Sequence, residues 1–196
     1  MNIENKKKII ESLKITFLKA GEVSLILRKQ GLIEEIKSDG TPVTNSDLEV
    51  NKIITNSIKE LTSEFPIVSE ESTLNKTNKN LNDFWLIDPI DGTNDYINNK
   101  EEFTLNASLI LDNIPVIGII YAPAKKRLFY TYEKNLSFEL INNQEKNLDC
   151  KKITSKGEVK AVSYSDKLKP IIEDFHIKFK VTSFKKMKSS LKFCVV

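Results

Sequence analysis

Apolar residues at Ile10, Leu13, Phe17, Ala20, Ser24 and Leu27 recur every three or four positions, which predicts one buried face of a long helix over Lys6–Lys29. Gly31 supplies the stop. Lys37–Pro42 is polar with Gly40 and Pro42 and reads as an exposed loop. Thr44-Asn45-Ser46-Asp47 has capping-box form and opens a second helix with Val50, Ile53, Ile54, Ile58 and Leu61 inward. A short strand, Ile67-Val68, follows Pro66 and leads into Ser69-Glu70-Glu71. After a polar stretch from Ser72 to Asp83 the pattern changes to strands. Phe84–Ile87 is a buried-strand run that Asp88-Pro89 should stop, because proline cannot donate to a ladder. Thr104–Leu111 and Pro115–Tyr121 flank Asp112-Asn113 as a hairpin. Leu128–Tyr132 and Leu136–Ile141 add two more strands, and Asn142–Lys152 reads as a linker or edge loop.

Beyond it the rhythm becomes β-α-β-α: strand Val159–Ser163, helix Lys167–Phe175, strand Phe179–Thr182 and a helix from Ser189. The expected class is α/β, with an α+β lobe over residues 1–150 and the start of a second, α/β lobe over residues 151–196. The final Phe193-Cys194-Val195-Val196 breaks off in mid-pattern, as expected of a truncated chain.

Composition narrows the chemistry. The 196 residues are 40% hydrophobic and 29% charged, an ordinary globular balance. The longest apolar run, Pro115–Ala124, is half of the ~20 residues a membrane helix needs, and no secretory leader is recognisable. The net charge of +3 comes from 30 cations, of which only Arg28 and Arg127 are arginines. That composition argues against nucleic-acid reading, which favours guanidinium forks. Cys150 and Cys194 are expected to be reduced thiols of a cytoplasmic protein. The single histidine, His176, lies in a plain amphipathic stretch, so hydrolases that use His as general base are disfavoured.

The informative segment is Asp88-Pro89-Ile90-Asp91-Gly92-Thr93. A strand brings Asp88 to its end and a turn lets Asp91 share the same space, while the Ile90 carbonyl is left without a strand partner. Carboxylates and a carbonyl are the hard oxygen donors that Mg²⁺ prefers. Gly92 permits close approach of an oxyanion, and Thr93 opens a short helix. Glu70 or Glu71, ending the preceding strand, can join this group, although Glu-Glu also suits a solvated face. Asp47 and Thr44 are companions that capping alone also explains. Gathering Glu70, Asp88 and Asp91 without cations would cost several kcal/mol.

Phe84-Trp85-Leu86-Ile87-Asp88-Pro89-Ile90-Asp91-Gly92-Thr93 resembles the signature of the inositol monophosphatase superfamily, phosphatases that depend on Mg²⁺ and are inhibited by Li⁺. Val68–Ser72 is similar to its upstream metal motif and Asp39–Asp47 to its first loop. Within the superfamily, Glu101–Asn106, Gly118–Pro123 and Ser189–Cys194 are most similar to bacterial 3′(2′),5′-bisphosphate nucleotidases. The resemblance implies a layered αβαβα sugar-phosphatase fold, an antiparallel sheet with two helices followed by an incomplete second lobe. It further implies that Glu70, Asp88 and the Ile90 carbonyl hold one Mg²⁺, and that Asp88 bridges to a second held also by Asp91. Gly92 and Thr93 would hold the phosphate, with Glu70, Asp88, Ile90 and Asp91 meeting the substrate through the ions. Thr93 and Glu70 would position the attacking water, and Asp47 would support Thr93 or a weaker metal.

The implied reaction removes the 3′-phosphate of adenosine 3′,5′-bisphosphate to give AMP and phosphate, a recycling step in sulfur metabolism. The implied partners are that small molecule and no nucleic acid. A homodimer and a peripheral association with the inner membrane are compatible with the sequence. An inositol or sugar monophosphatase is the related alternative, and a metal- or partner-binding module without turnover is another. Similar sequences continue into a Trp-Asp motif that completes the second metal site, whereas the one tryptophan here is Trp85. Lys188 stands where they carry Gly before Ser-Ser, and its side chain is expected to crowd the phosphate route or the base.

Overall fold

The computed structural model describes residues 1–38, 40–72, 81–149 and 158–195. Helix α1 (Ile3–Gln30) begins where the Asn2 side chain accepts the Asn5 N–H at 2.9 Å and ends at Gly31, whose φ of +105° favours glycine. Strands β1 (Glu34–Ile36) and β2 (Pro42–Thr44) form a small antiparallel hairpin across the segment expected to be a loop; Asp39 lies outside the described residues. Helix α2 (Asn45–Leu61) starts from the expected capping box. The Thr44 hydroxyl accepts the Ser46 and Asp47 N–H groups, and the Asp47 carboxylate accepts the Thr44 N–H.

Strand β3 (Ile67–Ser69) runs parallel to β4 (Phe84–Asp91). Pro89 does not end β4 as expected. The strand continues to Asp91, and the disturbance appears instead as a break in register between Asp88, opposite Asn106, and Asp91, opposite Thr104. Proline's missing donor is thus absorbed by an irregularity in pairing with β5. After α3 (Thr93–Ile97), β5 (Thr104–Leu111) and β6 (Ile114–Ala122) form the anticipated hairpin, with φ of +51° and +62° at Asp112 and Asn113.

Strands β7 (Arg127–Glu133) and β8 (Leu136–Ile141) extend the ladder, and β9 (Gln144–Leu148) occupies part of the expected linker. Asn142 and Asn143 both take positive φ and make the tight turn into β9. This edge strand is polar and mostly exposed, so no hydrophobic alternation announces it. Cys150, Lys151 and Lys152 lie outside the described residues. The sheet order is β3-β4-β5-β6-β7-β8-β9, antiparallel except for the β3–β4 pair.

One face of this sheet is covered by α1 and α2. Ile10, Leu13, Phe17, Val50, Ile54 and Ile58 pack on Trp85, Ile87, Leu105, Leu109 and Ile119, all essentially inaccessible to water. Gly21 lets α1 approach the sheet: a Cβ there would lie 2.3 Å from a Tyr121 ring carbon. Trp85 joins α2 to β4, its indole N–H donating to the Thr62 hydroxyl at 2.9 Å while that hydroxyl donates to the Ile58 carbonyl.

Beyond residue 157, β10 (Val159–Ser163), α4 (Pro170–Lys178) and β11 (Val181–Lys186) make a β-α-β unit with parallel strands. Helix α4 begins three residues later than expected because Pro170 suits a first helical turn, and β11 is correspondingly displaced from Phe179–Thr182. Helix α5 (Leu191–Cys194) then seats Leu191, with Met187, against Ala122 and Phe129 on the sheet's other face. No helix of the described residues is long and apolar enough to cross a membrane.

Thr62→Val would leave the buried Trp85 N–H without an acceptor and is expected to cost about 1–3 kcal/mol. Urea unfolding followed by the fluorescence of this single tryptophan measures it; an unchanged midpoint would show that the bond does not join helix and sheet.

Candidate functional site

Strand β4 passes from the buried sheet to its end at Asp88–Asp91, where β3 delivers Glu70 alongside. The Glu70 N–H donates to the Ile87 carbonyl at 3.0 Å, which puts Glu70 next to Asp88. Burial and then the neighbouring charges of Glu70, Asp91 and Asp47 push the Asp88 carboxyl up to about 8, so at neutral pH and without a counter-ion it holds its proton. One Asp88 oxygen is buried with no hydrogen-bond partner.

Two further buried side-chain oxygens among the described residues share that condition, Thr104 Oγ1 and Asn106 Oδ1. Asn106 pairs with Asp88 and Thr104 with Asp91 across β4 and β5. All three orphans therefore surround the same end of one strand pair. Unsatisfied buried oxygens are costly, and their concentration here fits a cation with its coordinated water. The donor chemistry also fits: carboxylates of Glu70, Asp88 and Asp91 with the Ile90 carbonyl are hard ligands.

Those groups are nevertheless engaged with the protein itself. Among the described residues no three His, Cys, Asp or Glu side chains already converge in metal-holding geometry. Lys37, on the turn between β1 and β2, reaches Glu71 at 2.7 Å and Glu70 at 3.3 Å. Burial opposes the Lys37 charge, but Glu71 and Glu70 outweigh it and hold the ammonium above its ordinary value. Glu71 is the more enclosed of the two glutamates, and burial raises its carboxyl despite Lys37. Asp91 accepts from the Ser190 N–H at 2.5 Å and the Ser190 hydroxyl at 2.7 Å, so α5 is clipped onto the site.

The Ile90 carbonyl, expected without a strand partner, accepts the Thr93 hydroxyl at 3.0 Å. That hydroxyl also lies 3.4 Å from Asp47 Oδ1. Asp47 is fully buried at the start of α2, and its other oxygen accepts the Thr44 hydroxyl at 2.5 Å and amide at 2.8 Å. Burial raises the Asp47 carboxyl, with the Thr44 bonds opposing. One carboxylate thus both caps α2 and lies beside Thr93. Gly92 has φ of +93°, and a Cβ there would come within 3.1 Å of the Glu102 carbonyl, so the turn requires glycine.

Structure therefore brings together Glu70, Asp88, Ile90, Asp91, Thr93 and Asp47, with Gly92 at the turn. Sequence reading missed Lys37, Ser190 and the orphaned Thr104 and Asn106. The last two, like Ser190, lie in segments already marked by resemblance, a signal without an assigned role. Lys188, expected to crowd the phosphate route or the base, is paired with Asp95. Its ammonium is 3.0 Å from both oxygens of Asp95. Cys194 is a free thiol that burial pushes up to about 11, so it stays protonated. His176 lies in α4, edge-on to Phe184, and has no part in this cluster.

Comparison with known proteins bears on the fold and the family. The chain is 35% identical over 162 residues to the 3′(2′),5′-bisphosphate nucleotidase CysQ of Buchnera aphidicola, covering 82% of this chain and 60% of the relative. It is 32% identical over 166 residues to the CysQ of Haemophilus influenzae, covering 80% and 61%. It spans about three fifths of the length of these curated relatives. The crystal structure of CysQ from Bacteroides thetaiotaomicron, a bacterial member of the inositol monophosphatase family, superposes with a TM-score of 0.72 at 25% identity, over 100% of this chain and 78% of that one. SuhB from Bartonella henselae, at 20% identity, shares the fold with a TM-score of 0.74 over 96% of this chain and 74% of its own. The inositol monophosphatase family model matches residues 5–196, so the chain belongs to the inositol monophosphatase family.

Proposed function

We propose that this chain carries the metal- and phosphate-binding lobe, residues 1–150, and the start of an α/β lobe, residues 151–196, of a Mg²⁺-dependent phosphatase. Its reaction is removal of the 3′-phosphate of adenosine 3′,5′-bisphosphate, giving AMP and phosphate. The observation that carries the metal site is the set of three buried side-chain oxygens without partners, on Asp88, Thr104 and Asn106, at the end of β4. The named relatives support the substrate, since those with 35% and 32% identity are bisphosphate nucleotidases.

Glu70, Asp88 and the Ile90 carbonyl would hold one ion, and Asp88 and Asp91 a second. Bound there, Mg²⁺ would acidify water and neutralise phosphate oxygens during in-line displacement. The chain's own residues set the remaining geometry. Thr44 fixes Asp47 with two hydrogen bonds, and Asp47 in turn offers Oδ1 to the Thr93 hydroxyl. One hydroxyl proton serves one acceptor at a time, so Thr93 chooses between Ile90 and Asp47. When its proton is directed to Asp47, its oxygen faces the site as an acceptor that orients an attacking water. Gly92 permits the left-handed turn into Thr93, where a Cβ would press on the Glu102 carbonyl, and its backbone would border the phosphate. Glu70, beside Asp88, is placed to take the water's proton once Lys37 releases it. Phosphoryl transfer asks little more of a protein than such positioning and charge neutralisation.

Hydrolysis of adenosine 3′,5′-bisphosphate and of inositol 1-phosphate, compared in Mg²⁺, tests the substrate: the bisphosphate should be preferred, and preference for inositol 1-phosphate would overturn the reading. Asp91→Asn should lower Mg²⁺-dependent turnover by roughly 100-fold or more. The amide keeps an acceptor for Ser190, so the melting temperature should change little; full activity in this variant would refute the assigned ligands.

The raised Asp88 carboxyl has a signed consequence. Between its ordinary value of 3.8 and about 8, the unfolded chain releases a proton that the metal-free fold retains. This contribution to stability is present in full below 3.8 and is lost as pH rises towards 8. Melting of EDTA-treated protein from pH 5 to 8 should show the decline, and Mg²⁺ should reduce it. A metal-free stability that increased through this window would contradict the burial of Asp88 as an acid.

A further inference from the structure

Helix α3 carries Thr93, yet it is only five residues long, Thr93–Ile97. A helix that short has no stability of its own, so contacts with other elements decide where it points. Tyr96 supplies such contacts. Its fully buried ring meets Phe103 edge-on, with centroids 4.8 Å apart. The Arg28 guanidinium of α1 lies over both rings, 5.4 Å from Tyr96 and 5.2 Å from Phe103, and donates to the Lys100 carbonyl at 2.9 Å.

The Tyr96 hydroxyl has a more particular setting. It lies 2.6 Å from the Ser24 carbonyl of α1 and 2.6 Å from the Ser46 hydroxyl at the start of α2. A carbonyl can only accept, so both bonds form together when Tyr96 donates to Ser24 and Ser46 donates to Tyr96. All three residues are closed to water. Phenylalanine would fill the same space, and what the phenol adds is this pair of bonds, which ties three helices at one oxygen.

Ser46 directly precedes Asp47, and the N–H groups of both donate to the Thr44 hydroxyl. Thr93, three residues and about one helical turn before Tyr96, places its hydroxyl 3.4 Å from Asp47 Oδ1 and 3.0 Å from the Ile90 carbonyl. Each end of the Thr93–Asp47 contact thus adjoins one end of the Tyr96–Ser46 bond. We propose that Tyr96 is a positioning residue, whose hydroxyl locks the start of α3 to the start of α2 and so keeps Thr93 within reach of Asp47. The inference rests on the phosphatase reading above. Without the lock α3 is free to tilt on its ring contacts, and a shift of a few tenths of an ångström breaks a bond that is already long. Thr93 then leaves its proton on Ile90 and no longer presents an acceptor to the attacking water.

The test compares kinetics of the full chain on adenosine 3′,5′-bisphosphate in Mg²⁺, with Thr62→Val, at the opposite end of α2, as a control that is destabilised away from the site. Tyr96→Phe should lower kcat by about 10-fold and leave KM within about twofold, as misplacement of a reacting group does. Ser46→Ala should do the same, and the double variant should lose little more than either alone. Thr62→Val should keep kcat. Amide hydrogen exchange of EDTA-treated protein supplies a readout that needs no turnover. The Asp95 and Tyr96 N–H groups both donate to the Gly92 carbonyl at 2.9 Å. In Tyr96→Phe they should exchange about 10-fold faster relative to the buried turns of α2 around Ile54. Unchanged kcat, an effect carried by KM alone, unchanged relative exchange, or an equal fall of kcat in Thr62→Val would refute the role of Tyr96 while the phosphatase reading stands. If the original chain leaves the bisphosphate intact, the phosphatase reading fails and the positioning role fails with it.

Discussion

A carboxylate taken out of water needs a counter-charge or a proton, and the end of β4 is organised around that requirement. Asp88 lies where a buried strand emerges, among Glu70, Asp91 and Asp47, with one oxygen orphaned. Protonation relieves the strain in the metal-free protein, as burial and like charge demand. Lys37 and Ser190 relieve the neighbours, taking up Glu70, Glu71 and Asp91. In the proposed phosphatase each of these is a partner that a divalent ion would replace.

The scaffold explains how four acids tolerate such proximity. Two helices, α1 and α2, cover one face of a seven-stranded sheet, and their apolar residues anchor β4 through Trp85 and Ile87. Asp47 projects from the first turn of α2, where Thr44 meets it with two donors. Glu70 arrives on β3 through the single parallel pairing of the sheet. Burial of the helix faces thus supplies the free energy that keeps the acids near one another. Site and core share strands, so a change in the packing of β4 alters both.

Much of this was legible from the residues in order. Helix periodicity located α1 and α2, alternation and Asp112-Asn113 located the β5–β6 hairpin, and the Asp-Pro-Ile-Asp-Gly-Thr string marked the acidic turn. The failures have physical causes. Pro89 was expected to end a strand, but one missing donor can be accommodated by an irregular register. The polar strand β9 is an exposed edge that needs backbone bonds and no apolar stripe. The hairpin of β1 and β2 is short and bonded mainly to itself, so neither hydrophobicity nor length distinguishes it from a loop.

By itself the sequence determined which chemistry was available: oxygen donors at a strand end, a glycine turn, a threonine, no usable histidine and no fork of arginines. Residue type and local spacing decide such matters, since propensity and ligand preference act within a few residues. Tertiary structure alone decided which groups meet. Thr104 and Asn106 become orphans only because β5 pairs with β4 in one register, and Lys37 reaches Glu70 and Glu71 across more than thirty positions. Lys188 finds Asp95 across more than ninety. Charge pairing and burial depend on distance in space, and the folded backbone is what sets those distances.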